Sequence, residues 1–141
     1  MRNAALTAVK TTQPERLNEV VPSLLKDKAL VVRSAAVSAL YPNLEPKMRD
    51  LLWSELNASY NFRKGQSLWV RGQIVEKLSS NPQKKEYTLF GNALKGTDEK
   101  LHAFAIQALE NITQRKFGTV KSTVSEKRNL WIDFVRKNPK L

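Results

Sequence analysis

Arg33-Ser-Ala-Ala-Val-Ser-Ala-Leu40 decides how the chain is read, because its pattern occurs four times. The other copies are Arg2-Asn-Ala-Ala-Leu-Thr-Ala-Val9, Arg71-Gly-Gln-Ile-Val-Glu-Lys-Leu78 and His102-Ala-Phe-Ala-Ile-Gln-Ala-Leu109, at offsets of 31, 38 and 31 residues. Apolar residues within each copy follow helical spacing rather than strict alternation. A self-similar period of about 30 residues with that patterning points to stacked helix pairs, an all-α solenoid.

Working outward, each octapeptide is the second helix of a unit whose first helix precedes it. In the clearest unit Pro14 suits a first helical turn, with Glu15 near the positive end of the helix dipole. Leu17, Val20, Val21, Leu24 and Leu25 then form one apolar stripe. Pro22 falls inside this stripe and predicts a kink. The turn Lys26-Asp-Lys-Ala29 leads to a second helix burying Leu30, Val32, Ala36, Val37 and Leu40, with small residues allowing close approach. The next unit runs from Pro46 through Met48, Leu51, Leu52 and Leu56 to Leu68, Ile74, Val75 and Leu78. Its linker, Ala58-Ser-Tyr-Asn-Phe-Arg-Lys-Gly65, is longer by seven residues, which accounts for the offset of 38.

The third unit opens at Pro82, uses Tyr87, Leu89, Phe90 and Leu94, and turns at Gly96-Thr-Asp98 with Asp98 as N-cap. It continues through Leu101, Phe104, Ala105, Ala108, Leu109 and Ile112. Residues 114–124 read as a basic loop. Ser125-Glu126 then caps a closing helix with Leu130, Trp131, Phe134 and Val135 on one face. The expected organisation is one domain over 1–141: a half repeat 1–12, repeats 13–41, 42–80 and 81–112, and a loop with capping helix at 113–141. Because 2–9 is a second helix without a first, Met1 is expected to begin inside a longer array, or to take its partner helix from a neighbour.

Composition narrows the function. Cysteine is absent from the 141 residues, which removes disulfides, thiolate metal sites and cysteine nucleophiles. No apolar run approaches the roughly 20 residues of a membrane span, and the N-terminus lacks the apolar core of a signal peptide, so a cytoplasmic location is expected. Twenty-four Lys and Arg against 13 Asp and Glu leave a net charge of +11, which favours anionic partners.

The stretch Leu24-Leu-Lys-Asp-Lys-Ala-Leu-Val-Val-Arg-Ser-Ala-Ala-Val-Ser-Ala-Leu40 has an apolar pair, an Asp in the turn, Val-Arg and an Ala-rich second helix. Leu109-Glu-Asn-Ile-Thr113, Phe117-Gly118, Arg128 and Trp131 follow in order at the other end. In these features the chain resembles the HEAT-like repeat family, most closely its bacterial members with short units. The resemblance implies a right-handed α-solenoid of HEAT-like helix pairs with a C-terminal capping helix, used as an interaction scaffold. The chain departs from the family pattern at Gly65, at Gly96 and at His102, which stands where the family has Arg.

Arg33, Arg71 and His102, with Arg2, share one repeat position, so stacking aligns them in a row about 10 Å apart. Such a row either tracks an acidic peptide or phosphate backbone, or pairs inside the molecule with turn carbonyls and Asp27. Tyr60, Phe62, Arg63 and Lys64 interleave aromatics with charge, as single-strand binders do, or anchor the long linker. Arg115-Lys116, Lys84-Lys85, Lys127-Arg128 and Arg136-Lys137 are phosphate contacts or solvated charge.

Trp53, Trp69 and Trp131 read as core. The lone His102 leaves no multi-histidine metal site and no catalytic triad. HEAT-like DNA glycosylases place an aspartate beside aromatics, and Asp50 with Trp53 is the pair here that resembles this. The expected function is a non-enzymatic module, without cofactor or metal, that binds an acidic or amphipathic protein segment. Nucleic acid bound by its backbone is the alternative partner.

Overall fold

The structure, a computed structural model, describes the backbone of residues 2–141 and the side chains of residues 5–13 and 15–141. The expectations about Met1 and the Arg2 side chain lie outside the described residues. The described chain is all-α but for one short hairpin, and it divides into two compact units, 1–78 and 79–141. That division falls within two residues of the junction between the second and third repeats.

In the first unit, α1 (Arg2–Thr12) is followed by α2 (Leu17–Leu24), α3 (Leu30–Ala39), α4 (Pro46–Leu56), a hairpin of β1 (Phe62–Arg63) and β2 (Gln66–Ser67), and α5 (Trp69–Ser79). The octapeptides at 2–9, 33–40 and 71–78 lie on α1, α3 and α5, apart from Leu40, which caps α3. The stripe from Leu17 does not make one helix from Pro14. Pro14–Arg16 forms a 3-10 turn, and the α-helix starts at Leu17. Pro22 lies in the last turn of α2, which stops two residues later. There it offers no N–H to the Asn18 carbonyl, a lost ladder bond that falls close to the end of the helix.

Helix α3 packs against both α1 and α2, and α2 against α4. Val21, Val32, Ala36, Val37, Leu40, Met48, Leu52, Leu56, Val70, Ile74, Val75 and Leu78 are buried between these elements. Each such aliphatic side chain contributes about 1.5–3 kcal/mol on leaving water.

Side-chain bonds fix how α3 and α5 run. Trp69 Nε1 donates to Ser34 Oγ at 3.0 Å, Ser34 Oγ to Gln73 Oε1 at 2.7 Å, Gln73 Nε2 to Ser38 Oγ at 3.1 Å, and Lys77 Nζ to the Leu40 carbonyl at 2.7 Å. Residue numbers rise together on both helices, so α3 and α5 are parallel. Helix α4 runs the other way against α5, since Arg49 Nη2 donates to the Leu78 carbonyl and Arg71 Nε to the Leu56 carbonyl, each at 2.8 Å.

The linker is a hairpin rather than an irregular loop. Phe62 pairs with Ser67 and Arg63 with Gln66, and the two turn residues Lys64 and Gly65 have φ of 51° and 78°. Two consecutive positive φ angles mark a type I′ turn, whose twist matches that of the paired strands. A 3-10 turn at Ser59–Asn61 leads into it.

The second unit comprises α6 (Tyr87–Ala93), α7 (Glu99–Thr113) and α8 (Val124–Lys137), each packed on the other two. Gln83 and Glu86 form a reciprocal capping box ahead of α6. Asp98 caps α7, accepting from the Lys100 amide at 3.1 Å. The closing helix starts two residues earlier than Ser125 suggests. Its cap is Thr123, whose hydroxyl accepts from the Glu126 amide at 3.1 Å, so the pattern that counts is Thr-x-x-Glu over 123–126.

Helix α8 lies antiparallel to α6. Tyr87 Oη donates to the Asn138 carbonyl at 2.6 Å, and Arg128 Nε to the Leu94 carbonyl at 2.6 Å. Between these bonds, a Cβ added to Gly91 would sit 3.0 Å from Val135 Cγ1, so glycine is what lets the helices approach. Trp131 is fully buried with its ring edge-on to Phe117 and Phe134. Two other expected core positions are not core: Leu89 and Leu130 face solvent.

Candidate functional site

Arg33, Arg71 and His102, which share one octapeptide position, each bond to backbone or side chains of their own unit. Arg33 is 3% exposed. Its Nη1 donates to the carbonyls of Asp27 and Lys28 at 2.8 and 3.2 Å, its Nη2 to that of Tyr60 at 2.7 Å, and its Nε to Asn61 Oδ1 at 3.0 Å. Arg71 Nε takes the Leu56 carbonyl at the end of α4, while Nη1 and Nη2 reach Ser67 Oγ and Asn57 Oδ1. His102 Nε2 donates to the Gly96 carbonyl at 2.8 Å. The shared role is to satisfy carbonyls left open where the preceding first helix ends, a place where a positive group is favoured.

The hairpin completes this arrangement. The Arg33 guanidinium lies 5.0 Å from the Tyr60 ring centre, and that of Arg71 lies 4.3 Å from Phe62. Tyr60 and Phe62 therefore each have a ring face taken by an arginine of the same unit. Beneath them Glu55 is buried, accepts from the Tyr60 hydroxyl, and pairs with Lys26 at 3.1 Å. Asn61, also buried, donates to the Glu55 carbonyl at 2.8 Å. Burial, followed by the bond and charge of Glu55, pushes the Tyr60 hydroxyl up to about 12 against the weaker pull of Arg33.

Arg63 and Lys64 are exposed at the hairpin tip of the first unit. Arg115 and Lys116 belong to the loop after α7 in the second, with the Arg115 guanidinium 5.5 Å from the Phe134 ring centre. Asp50 is exposed on α4 and Trp53 half-buried. Among the described residues no group of three or more His, Asp or Glu is placed to hold a metal ion, and no helix is long and apolar enough to cross a membrane.

The sequence points to the surface lined by the second helices and to the basic C-terminal end for binding, but not to the particular residues that α3 and α5 expose there. Trp69 is not core: it is 51% exposed, and Val31 and Tyr41 are 61% and 48% exposed. Val31, Ser34 and Ser38 follow helical spacing along α3, with Tyr41 just past its extended Leu40 cap, and Trp69, Gln73 and Lys77 follow it along α5. The result is a shallow strip with a polar floor of serines and Gln73, an apolar end at Val31 and Trp69, and a cationic end. At that cationic end Lys10 Nζ lies 5.2 Å from the Tyr41 ring centre, and Lys77 reaches the adjoining Leu40 carbonyl. Burial holds the Lys77 ammonium below its ordinary range, the charge of Lys10 adds to this, and Glu76 opposes it.

Neither a family model nor a curated protein nor a solved structure matches the chain.

Proposed function

We propose that the chain is a HEAT-like interaction module, a right-handed solenoid of helix pairs without catalysis of its own, and that its α3–α5 strip binds an acidic, amphipathic protein segment. The observation that carries this reading is the strip itself, with exposed Trp69 and Val31 at one end and the ammonium groups of Lys10 and Lys77 at the other. An apolar side chain of the partner is seated by the indole, and a carboxylate answers the two cations at the C-terminal ends of α1 and α5. The inward arginines support the strip by fixing each second helix on its turn, and they do not themselves contact the partner. The net charge of +11 favours an acidic partner from a distance.

Anisotropy of a labelled peptide with leucines and glutamates on one helical face tests this, with wild type compared to Trp69→Ala and Lys10→Glu. The expected result is about tenfold weaker binding for each variant, since both change the contact surface and neither is buried. Unchanged peptide affinity in both variants overturns the reading. Nucleic acid is the second reading, favoured by the exposed Arg63, Lys64 and Lys116. Oligonucleotide binding that persists at about 200 mM salt decides for it.

A further inference from the structure

The second unit carries a groove that the reading above does not use. It lies between α6 and α8 and continues past the end of α8. One part, about 380 Å³, is lined by Thr88, Gly91, Asn92, Lys95, Ile132 and Val135 among others. A second part, about 410 Å³, involves Lys84, Lys85, Tyr87 and Lys140, and the two share Thr88 and Pro139. No Asp or Glu lines either part, and the one carboxylate there, the terminal carboxylate of Leu141, stands beside three lysines in the second part. The nearest side-chain carboxylates are committed elsewhere: Glu86 Oε1 accepts from the Gln83 amide, and Asp133 pairs with Arg136 and Lys137.

We propose that this groove binds a short extended acidic peptide segment with one apolar side chain between its carboxylates. The floor at Gly91, Ile132 and Val135 is apolar, with Val135 packed directly against Gly91. Cations stand at its two ends, with Lys84, Lys85 and Lys140 beside Tyr87 at one and Lys95 at the other. From Tyr87 to Lys95 along a helix is about 12 Å, which four extended residues span at about 3.3 Å each. A leucine-sized group fills the recess while carboxylates reach both ends. A flat membrane cannot enter this recess, and a nucleic-acid strand leaves the apolar floor unused and finds no open aromatic face for its bases.

The test uses the full chain and a fluorescein-labelled, end-blocked pentapeptide of two glutamates, a leucine, a serine and a glutamate. Wild type is expected to bind it, and both the double variant Lys84→Glu, Lys85→Glu and the single variant Lys95→Glu are expected to weaken it by about tenfold or more, because each reversal places like charge against a carboxylate. These side chains are exposed, so the variants should keep the wild-type circular dichroism. A peptide with serine in place of leucine is expected to bind about tenfold less tightly. In a Trp69→Ala background, which removes the indole of the α3–α5 strip, the same lysine reversals are expected to weaken pentapeptide binding by about tenfold again, which separates the groove from the strip.

Four outcomes overturn the proposal: no binding of the pentapeptide at about millimolar concentration, equal binding of the serine version, insensitivity to the lysine reversals, or loss in those variants of binding to phosphatidylserine vesicles or oligonucleotides with none to the peptide.

Discussion

Arg33 has five guanidinium hydrogens and places at least four of them on acceptors of the same unit. Removing the group leaves the Asp27, Lys28 and Tyr60 carbonyls and the Asn61 side chain without this donor in a water-poor site. Lysine cannot replace the fork, because a single ammonium does not reach acceptors on both the turn and the hairpin. Arg33→Ala and Arg33→Lys are therefore both expected to cost about 3 kcal/mol, read as a lower midpoint in urea unfolding. An arginine that mainly contacted a partner would leave that midpoint unmoved. Deleting Arg33 and Arg71 together should destabilise the first unit, rather than weaken binding in a fully folded protein.

His102 takes up its proton at lower pH than a surface histidine does. Burial holds its pKa below 6.5, helped by the charge of Arg128 and opposed by the Gly96 carbonyl bond, Asp98 and Glu99. A base with a lowered folded pKa binds fewer protons folded than unfolded, so its stability contribution is complete above pH 6.5. It is lost as pH falls from there through the folded value. As the only histidine, it gives a single Hε1 resonance in NMR, whose shift against pH reads the midpoint. A midpoint at or above 6.5 would contradict its placement.

Tyr60 works at the other end of the scale. Its folded pKa of about 12 lies above the ordinary 10.0, so its contribution is complete below pH 10 and is lost as pH rises toward 12. Tyr60→Phe should flatten that alkaline loss and remove the last tyrosinate step from the ultraviolet titration.

At the scale of elements, the hairpin and the last helix show how local chemistry sets boundaries. Lys64 holds a positive φ that costs any residue with a Cβ, and asparagine tolerates it better ahead of glycine. Lys64→Asn is expected to stabilise the protein by about 0.5 kcal/mol, seen as a raised melting temperature. Thr123→Ala removes the cap of α8 and should cost about 1 kcal/mol. Had Ser125 been the cap, Ser125→Ala would carry that loss instead.

Helix existence was legible in the sequence because the apolar period is strong over whole turns. The starts of α2 and α8 were less so. A proline-led first turn is satisfied by 3-10 as well as α geometry, and two hydroxyl residues two positions apart compete to cap α8. The hairpin had a signal in Lys64-Gly65, but strands of two residues give no alternation to read.

For the molecule as a whole, the charge predicts how binding responds to salt. A peptide held by two or three ion pairs and an apolar anchor should lose at most about tenfold in affinity between 50 and 200 mM salt, whereas a strand held through six to ten phosphates would lose about a thousandfold or more. Anisotropy across that range reads the difference directly.

The sequence by itself determined the helix periods, the equivalence of Arg33, Arg71 and His102, and the excess of positive charge, because each is a property of residue identity and spacing. Tertiary structure alone decided where those cations point. A repeat position brings side chains to the same place in successive units, but whether they meet solvent depends on what packs over them, here a hairpin inserted between α4 and α5. The exposure of Trp69 was decided the same way, by which side of α5 faces α3 and α4, and the groove at Gly91 by how closely α8 approaches α6.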